Sequence, residues 1–184
     1  MLQAHGDVEA RNCAGAVPLH VAAAKGQEGC LRLLLESRAE VGDTCHDDQT
    51  ALHFGALGGS AAVVRRLVEA EALVDARDVH GHTALRLAVR EAQLDTARLL
   101  LSWRADVEAE ADGLRPLHVA AERGEKELLE LLLEGRADVH AKGSDGLTAL
   151  DLVAIEGRKD LVQLLEDMGA SSELIGVPHA ISPH

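Results

Sequence analysis

Apolar residues recur along this chain at helical spacing, in pairs of short runs. The second run of each pair is the clearer: Cys30, Leu31, Leu34 and Leu35; Val63, Val64, Leu67 and Val68; Leu128, Leu129, Leu132 and Leu133. Steps of three and four residues put each set on one helix face. The first run of a pair is shorter, as in Val17 to Lys25. Helices this short are marginal alone. The pattern therefore predicts that stacked apolar faces hold the chain together, each buried Leu contributing ~1.5–3 kcal/mol.

The first runs share a phrase. Its fullest copy is Arg115-Pro116-Leu117-His118-Val119-Ala120-Ala121-Glu122-Arg123-Gly124, and Val17-Pro18-Leu19-His20-Val21-Ala22-Ala23 is another. Thr50-Ala51-Leu52-His53, Thr83-Ala84-Leu85-Arg86 and Thr148-Ala149-Leu150-Asp151 are weaker ones. The copies start at 17, 50, 83, 115 and 148, so successive starts lie 33, 33, 32 and 33 residues apart. Thr50, Thr83 and Thr148 are predicted N-caps that accept a backbone N–H. Val17 and Arg115 are each followed by proline, whose fixed φ suits a first helical turn. Gly26, Gly59, Gly124 and Gly157 come nine residues after the starts, where a left-handed residue ends the helix. Ala92 takes that place in the third unit.

A 33-residue period with this phrase resembles the ankyrin repeat family, from about residue 4 to residue 171. The resemblance implies an all-α solenoid of stacked helix–turn–helix units with short β-hairpin or loop fingers. It divides the chain into the end of a preceding repeat with the first finger (1–16), the array (17–171) and a C-terminal tail (172–184). Leu2 to Val8 aligns with Leu35 to Val41, so the chain is expected to open in the end of a repeat, as a piece of a longer array, the alternative being a degenerate N-terminal cap. The family usually has Gly before Ala-Asp at the end of the second helix. Here Arg38, Glu71, Arg104 and Arg136 stand there and only Gly169 conforms, so altered helix ends are expected. The step from a finger's Val to the next start is nine residues from Val8, Val41, Val74 and Val139 but eight from Val107, which shortens one finger.

Composition narrows the core. Hydrophobic residues make up 47% of the chain but aromatics only 1%, which requires Leu, Val and Ala packing. No run of 18 apolar residues spans a membrane, and no signal peptide is visible. Three cysteines, Cys13, Cys30 and Cys45, form no CxxC pair, which fits a reducing cytoplasmic or nuclear setting. The net charge of −13 argues against nucleic acid as partner and favours a basic one.

Catalytic patterns such as GxSxG, HExxH and a phosphate loop are missing. Gly55, Gly58 and Gly59 interrupt a helical unit and do not follow a strand. His20, His53 and His118 stand at the family's structural histidine. Cys45, His46, Asp47 and Asp48, with His80, His82 and Cys13, are the best metal candidates, but their spacing is not that of a zinc site. No enzyme activity, cofactor or metal is expected.

What the resemblance implies is a monomeric protein-binding module whose concave face combines fingers and first helices. On the helices the variable positions are Ala24, Lys25, Leu57, Arg90, Glu91, Glu122, Arg123, Ile155 and Glu156. On the fingers they are His46, Asp47, Gln49, His80, His82, Asp112, Leu114 and Leu147. Leu57, Leu114, Leu147 and Ile155 are expected to be exposed. Asp43, Asp47, Asp48, Asp78, Glu108, Glu110, Asp112 and Asp145 are expected to form an acidic comb facing a basic partner. The alternative is a regulatory or targeting segment of a larger enzyme or channel.

Overall fold

A computed structural model describes residues 7–171. The expectations for Leu2 to Gly6 and for the tail 172–184 lie outside the described residues. Among the described residues ten helices follow in pairs: α1 Pro18–Ala24 and α2 Glu28–Glu36; α3 Ala51–Gly58 and α4 Ala61–Glu69; α5 Ala84–Arg90 and α6 Leu94–Ser102; α7 Pro116–Arg123 and α8 Lys126–Glu134; α9 Ala149–Ile155 and α10 Lys159–Asp167. First helices stack on first helices and second on second, giving the all-α solenoid. One continuous core runs between the two layers. Its fully buried members include Leu31, Leu67, Leu100, Leu132 and Leu165 from the second helices, with Ala23, Ala56, Ala88 and Ala121 from the first. Small residues on the first helices let neighbouring backbones come close. At Gly58 an added Cβ would sit 2.6 Å from the Ala24 carbonyl oxygen, so α1 and α3 meet where only glycine fits.

The helix starts share a device that the sequence only half revealed. The N-cap N–H of Val17, Thr50 and Arg115 donates to Nδ1 of His20, His53 and His118, at 3.0, 3.0 and 3.3 Å. Asp151 does the same for Thr148 at 3.0 Å. The third residue of the helix thus caps backwards. Thr83 and Thr148 also accept from the backbone as expected. Thr50 does not; its hydroxyl lies 2.9 Å from His53 Nδ1.

The second helices end otherwise than expected. Arg38, Glu71, Arg104 and Arg136 adopt φ of 64, 68, 62 and 70°, beside 93° at Gly169. The ends are therefore unaltered, and non-glycine residues take the left-handed place. The reason lies in the flanking bonds. Arg38 N–H donates to the Leu35 carbonyl and Ala39 N–H to that of Leu34, the pair that defines a Schellman end. The same pair recurs at Glu71–Ala72, Arg104–Ala105 and Arg136–Ala137, and each following alanine is buried. Burying that alanine and satisfying two carbonyls outweighs ~1–2 kcal/mol of left-handed strain. Ala92 likewise ends α5 at φ 55°.

Candidate functional site

Between the repeats, turns project from the array as five fingers. Fingers one, two, three and five span 12–16, 45–49, 78–82 and 143–147. Each is closed by a bond from its first N–H to its last carbonyl, at 2.8–3.0 Å. Three residues separate the bonded pair, and the third has positive φ: Gly15, Asp48, Gly81 and Gly146. Finger four, 111–114, is one residue shorter. Ala111 and Leu114 exchange both backbone bonds, at 3.1 and 3.0 Å, around Asp112 (φ 53°) and Gly113 (φ 75°). Two positive φ values in a two-residue loop are what a type I′ turn requires. The deletion changes the turn type and keeps the finger.

Fingers are tied to one another by backbone. His46 N–H donates to the Ala14 carbonyl at 3.0 Å, Val79 N–H to that of Asp47 at 3.0 Å, and Ser144 N–H to that of Gly113 at 2.8 Å. Between fingers three and four no such bond is formed among the described residues. Side chains do the joining there. Arg77 Nη1 donates to the carbonyls of Gly81 and Glu110 at 3.1 and 2.8 Å. Arg86 Nη2 donates to the Ala111 carbonyl at 3.0 Å and lies 3.4 Å from Asp112 Oδ2. His82 Nε2 lies 2.8 Å from Asp112 Oδ2, and its Nδ1 lies 3.3 Å from Asp78 Oδ2.

Histidine at the third helical position links α1, α3 and α7 to the chain at or just before the next finger. His20 Nε2 bonds the Asp43 carbonyl at 3.0 Å, His53 Nε2 that of His82 at 3.0 Å, and His118 Nε2 that of Ala141 at 3.1 Å. With Nδ1 accepting from the N-cap, the neutral ring satisfies both contacts. Burial pushes the His20 and His53 rings below the ordinary imidazole value. Arg86 occupies the same position in the third unit and has no acceptor to offer. Its guanidinium is buried, its Nε has no hydrogen-bond partner among the described residues, and burial lowers its pKa. Asp112 is held below the usual carboxylate range first by the hydrogen bond from His82. For Asp78 burial pulls upward, but bonds from the His82 and His80 N–H groups and from Gln49 outweigh it and lower the pKa.

The variable positions divide on inspection. Ala24, Lys25, His46, Asp47, His80, Glu91, Asp112, Glu122, Arg123, Ile155 and Glu156 are exposed, and Gln49 and Arg90 are half-buried. His82 is not a free surface residue: it is buried and engaged between two carboxylates. Leu57, Leu114 and Leu147 are half-buried too, the first two packed against the core. Of the four apolar residues expected to be exposed, only Ile155 is, at 63%. Val79 at the tip of finger three and Val21 on α1 were missed and are 52% and 41% exposed. Val79 stands 33 residues after His46, so the repeat spacing alone could have found it.

The acidic comb is thinner than its sequence count. Asp43 pairs with Arg11 at 3.0 Å, and Glu108 pairs with Arg115 at 3.3 Å. Asp78 is buried, Asp112 faces His82 and Arg86, and Asp145 accepts from the Leu147 N–H. Asp47, Asp48 and Glu110 remain exposed and outside any ion pair among the described residues. No group of three or more His, Cys, Asp or Glu among the described residues could hold a metal ion. No helix among them is long and apolar enough to cross a membrane.

Comparison with known proteins agrees with this geometry. A family model described as ankyrin repeats (3 copies) matches residues 19–111 and 104–174. The chain is 33% identical over 126 residues to a transient receptor potential cation channel subfamily A member 1 homolog of Caenorhabditis elegans, covering 67% of this chain and 10% of that one. It is 33% identical over 153 residues to the nuclear factor NF-kappa-B p105 subunit of Gallus gallus, covering 80% of this chain and 16% of that one. It is 37% identical over 127 residues to the NF-kappa-B inhibitor cactus of Drosophila yakuba, covering 66% and 24%. The match thus spans between a tenth and a quarter of these relatives' length.

Proposed function

Because the chain belongs to the ankyrin-repeat family, we propose that it is a non-enzymatic protein-interaction module that docks a partner protein on fingers and first helices. The observation that carries this reading is the stack of mutually bonded fingers. It presents His46, Asp47, Val79 and His80 on backbone fixed before any partner arrives, so little ordering cost is incurred on binding. The name of one relative, an inhibitor of NF-kappa-B, supports a role exerted on another protein.

The preferred partner surface is basic. Asp47, Asp48 and Glu110 supply the unpaired charge on the fingers, and the net charge of −13 supplies the field. Such charge raises association rate more than final affinity. The on-rate should therefore fall with salt, and Asp47→Asn with Asp48→Asn should flatten the fall. A salt-independent on-rate would leave the charge a solubility role only.

Docking itself is tested by affinity. Truncating His46, His80, Arg90 and Glu122 to Ala should weaken a captured partner by about tenfold or more, a loss of ~1.4 kcal/mol or more. Truncating Arg32, Arg98 and Glu127 on the second helices should leave affinity unchanged. The opposite result would move the site to the other face. A second reading is favoured by the cation-channel relative: the array is a regulatory segment of a larger protein. Docking on the same face serves both readings.

A further inference from the structure

Most of the molecule is accounted for by stacking and docking, but one cluster exceeds both. At the junction of fingers three and four a buried histidine has a carboxylate oxygen at each ring nitrogen. Side-chain exposure is 10% for His82, 0% for Asp78 and 59% for Asp112. We propose that His82 is a proton-operated latch: its imidazolium ties finger four to finger three by bonding both carboxylates, and its neutral form, able to donate to only one of them, weakens the tie.

The chemistry of the ring carries the inference. An imidazolium donates from both nitrogens, whereas a neutral imidazole donates from one and turns a lone pair to the other partner. Here both partners are carboxylates, so neither neutral tautomer serves both. This contrasts with His20, His53 and His118, where one nitrogen faces an N–H and the other a carbonyl, an arrangement made for the neutral ring.

The two carboxylates are unequal. Asp78 is fixed on its own finger by the N–H groups of His80 and His82 and by Gln49 Nε2 of finger two. Asp112 sits on the two-residue turn, and among the described residues only Arg86 Nη2, at 3.4 Å, reaches it besides His82. The latch therefore acts on finger four, which among the described residues has no backbone bond to its predecessor. Other charges near the ring are His80, whose ring centroid is 5.6 Å away, and Arg86 of α5. From α3 His53 bonds the His82 carbonyl, and its ring lies within electrostatic reach of both Asp78 and the His82 ring. Raising the pH removes the imidazolium charge, so the ring donates to only one of Asp78 and Asp112 and turns a lone pair to the other, and finger four is held to finger three mainly by Arg77 and Arg86. If the docking face is as proposed above, partner affinity changes across the same pH interval.

The latch is tested without any partner, so its failure is separable from that of the docking reading. In the isotope-labelled full chain, the His82 ring nitrogens would be titrated by NMR. Amide exchange at Ala111 and Leu114 would be followed over the same pH range, corrected for the intrinsic rate. The expected result is that their protection falls several-fold or more with the midpoint of the His82 titration. His82→Gln and Asp112→Asn should each abolish that pH-linked step, while protection at Cys45 and Gly143 in the backbone-tied fingers stays level. Protection at Ala111 and Leu114 that ignores the His82 titration, or a step that survives in both variants, would overturn the latch.

Discussion

Junctions between successive fingers come in two kinds, and the third differs from the rest. Junctions one–two, two–three and four–five are closed by a backbone bond, and each is served by a neutral-type histidine on the preceding first helix. Junction three–four has lost the backbone bond with the deleted residue. Three side chains, Arg77, His82 and Arg86, take its place. The difference teaches that a repeat array tolerates a one-residue deletion by exchanging main-chain for side-chain connection. The consequence is a difference in bonding: the histidines of the regular junctions each face one N–H and one carbonyl, whereas His82 faces two carboxylates.

The largest expected effect tests what the junctions share. Leu67 in α4 and Leu132 in α8 are both 0% exposed, on either side of the odd junction. Truncating either to Ala should cost ~2–5 kcal/mol in urea denaturation. Because repeat stability is shared through interfaces, both should unfold the array broadly. A loss at one site far below that range would mean that the two sides are not one cooperative stack.

Next in size is the pH effect at the regular junctions. His20 and His53 have folded-state values lowered from 6.5, so the unfolded chain takes up these protons first. Their contribution to stability is complete above about 6.5 and is lost as pH falls toward the lowered folded values. Thermal midpoints should decline from pH 7 downward, and His53→Gln should flatten part of the decline. A midpoint that rises on acidification through this window would contradict the neutral-ring assignment.

Smaller again is the strain at Ala92. It holds φ 55° where its counterparts are glycine, so Ala92→Gly should stabilise by up to about 1 kcal/mol. Destabilisation by a similar amount would place Ala92 in helical backbone. The smallest expected effect is none: EDTA should leave the thermal midpoint unmoved. A drop restored by zinc would revive the cluster around Cys45 and His46.

The pattern of helices and their starts was legible in the sequence because phrase and period repeat the same burial five times. Helix ends at Arg38, Glu71, Arg104 and Arg136 were misjudged because propensity is local. The buried alanine after each of them, and its bond back to the helix, are tertiary. The proposed docking face rests on positions that the repeat spacing picks out. Their exposure was not legible, since Leu57 and Leu114 reach the core from variable positions. Nor could spacing show that His82 lies between Asp78, four residues before it, and Asp112, thirty residues after it.

The most direct test of the central claim, that fingers and first helices form the docking face, is amide hydrogen exchange of the full chain with and without a captured partner. The account predicts slowed exchange at 45–49, 78–82 and 111–114 and along α1, α3, α5 and α7, with α2, α4, α6 and α8 unchanged. Slowing confined to the second helices would contradict it.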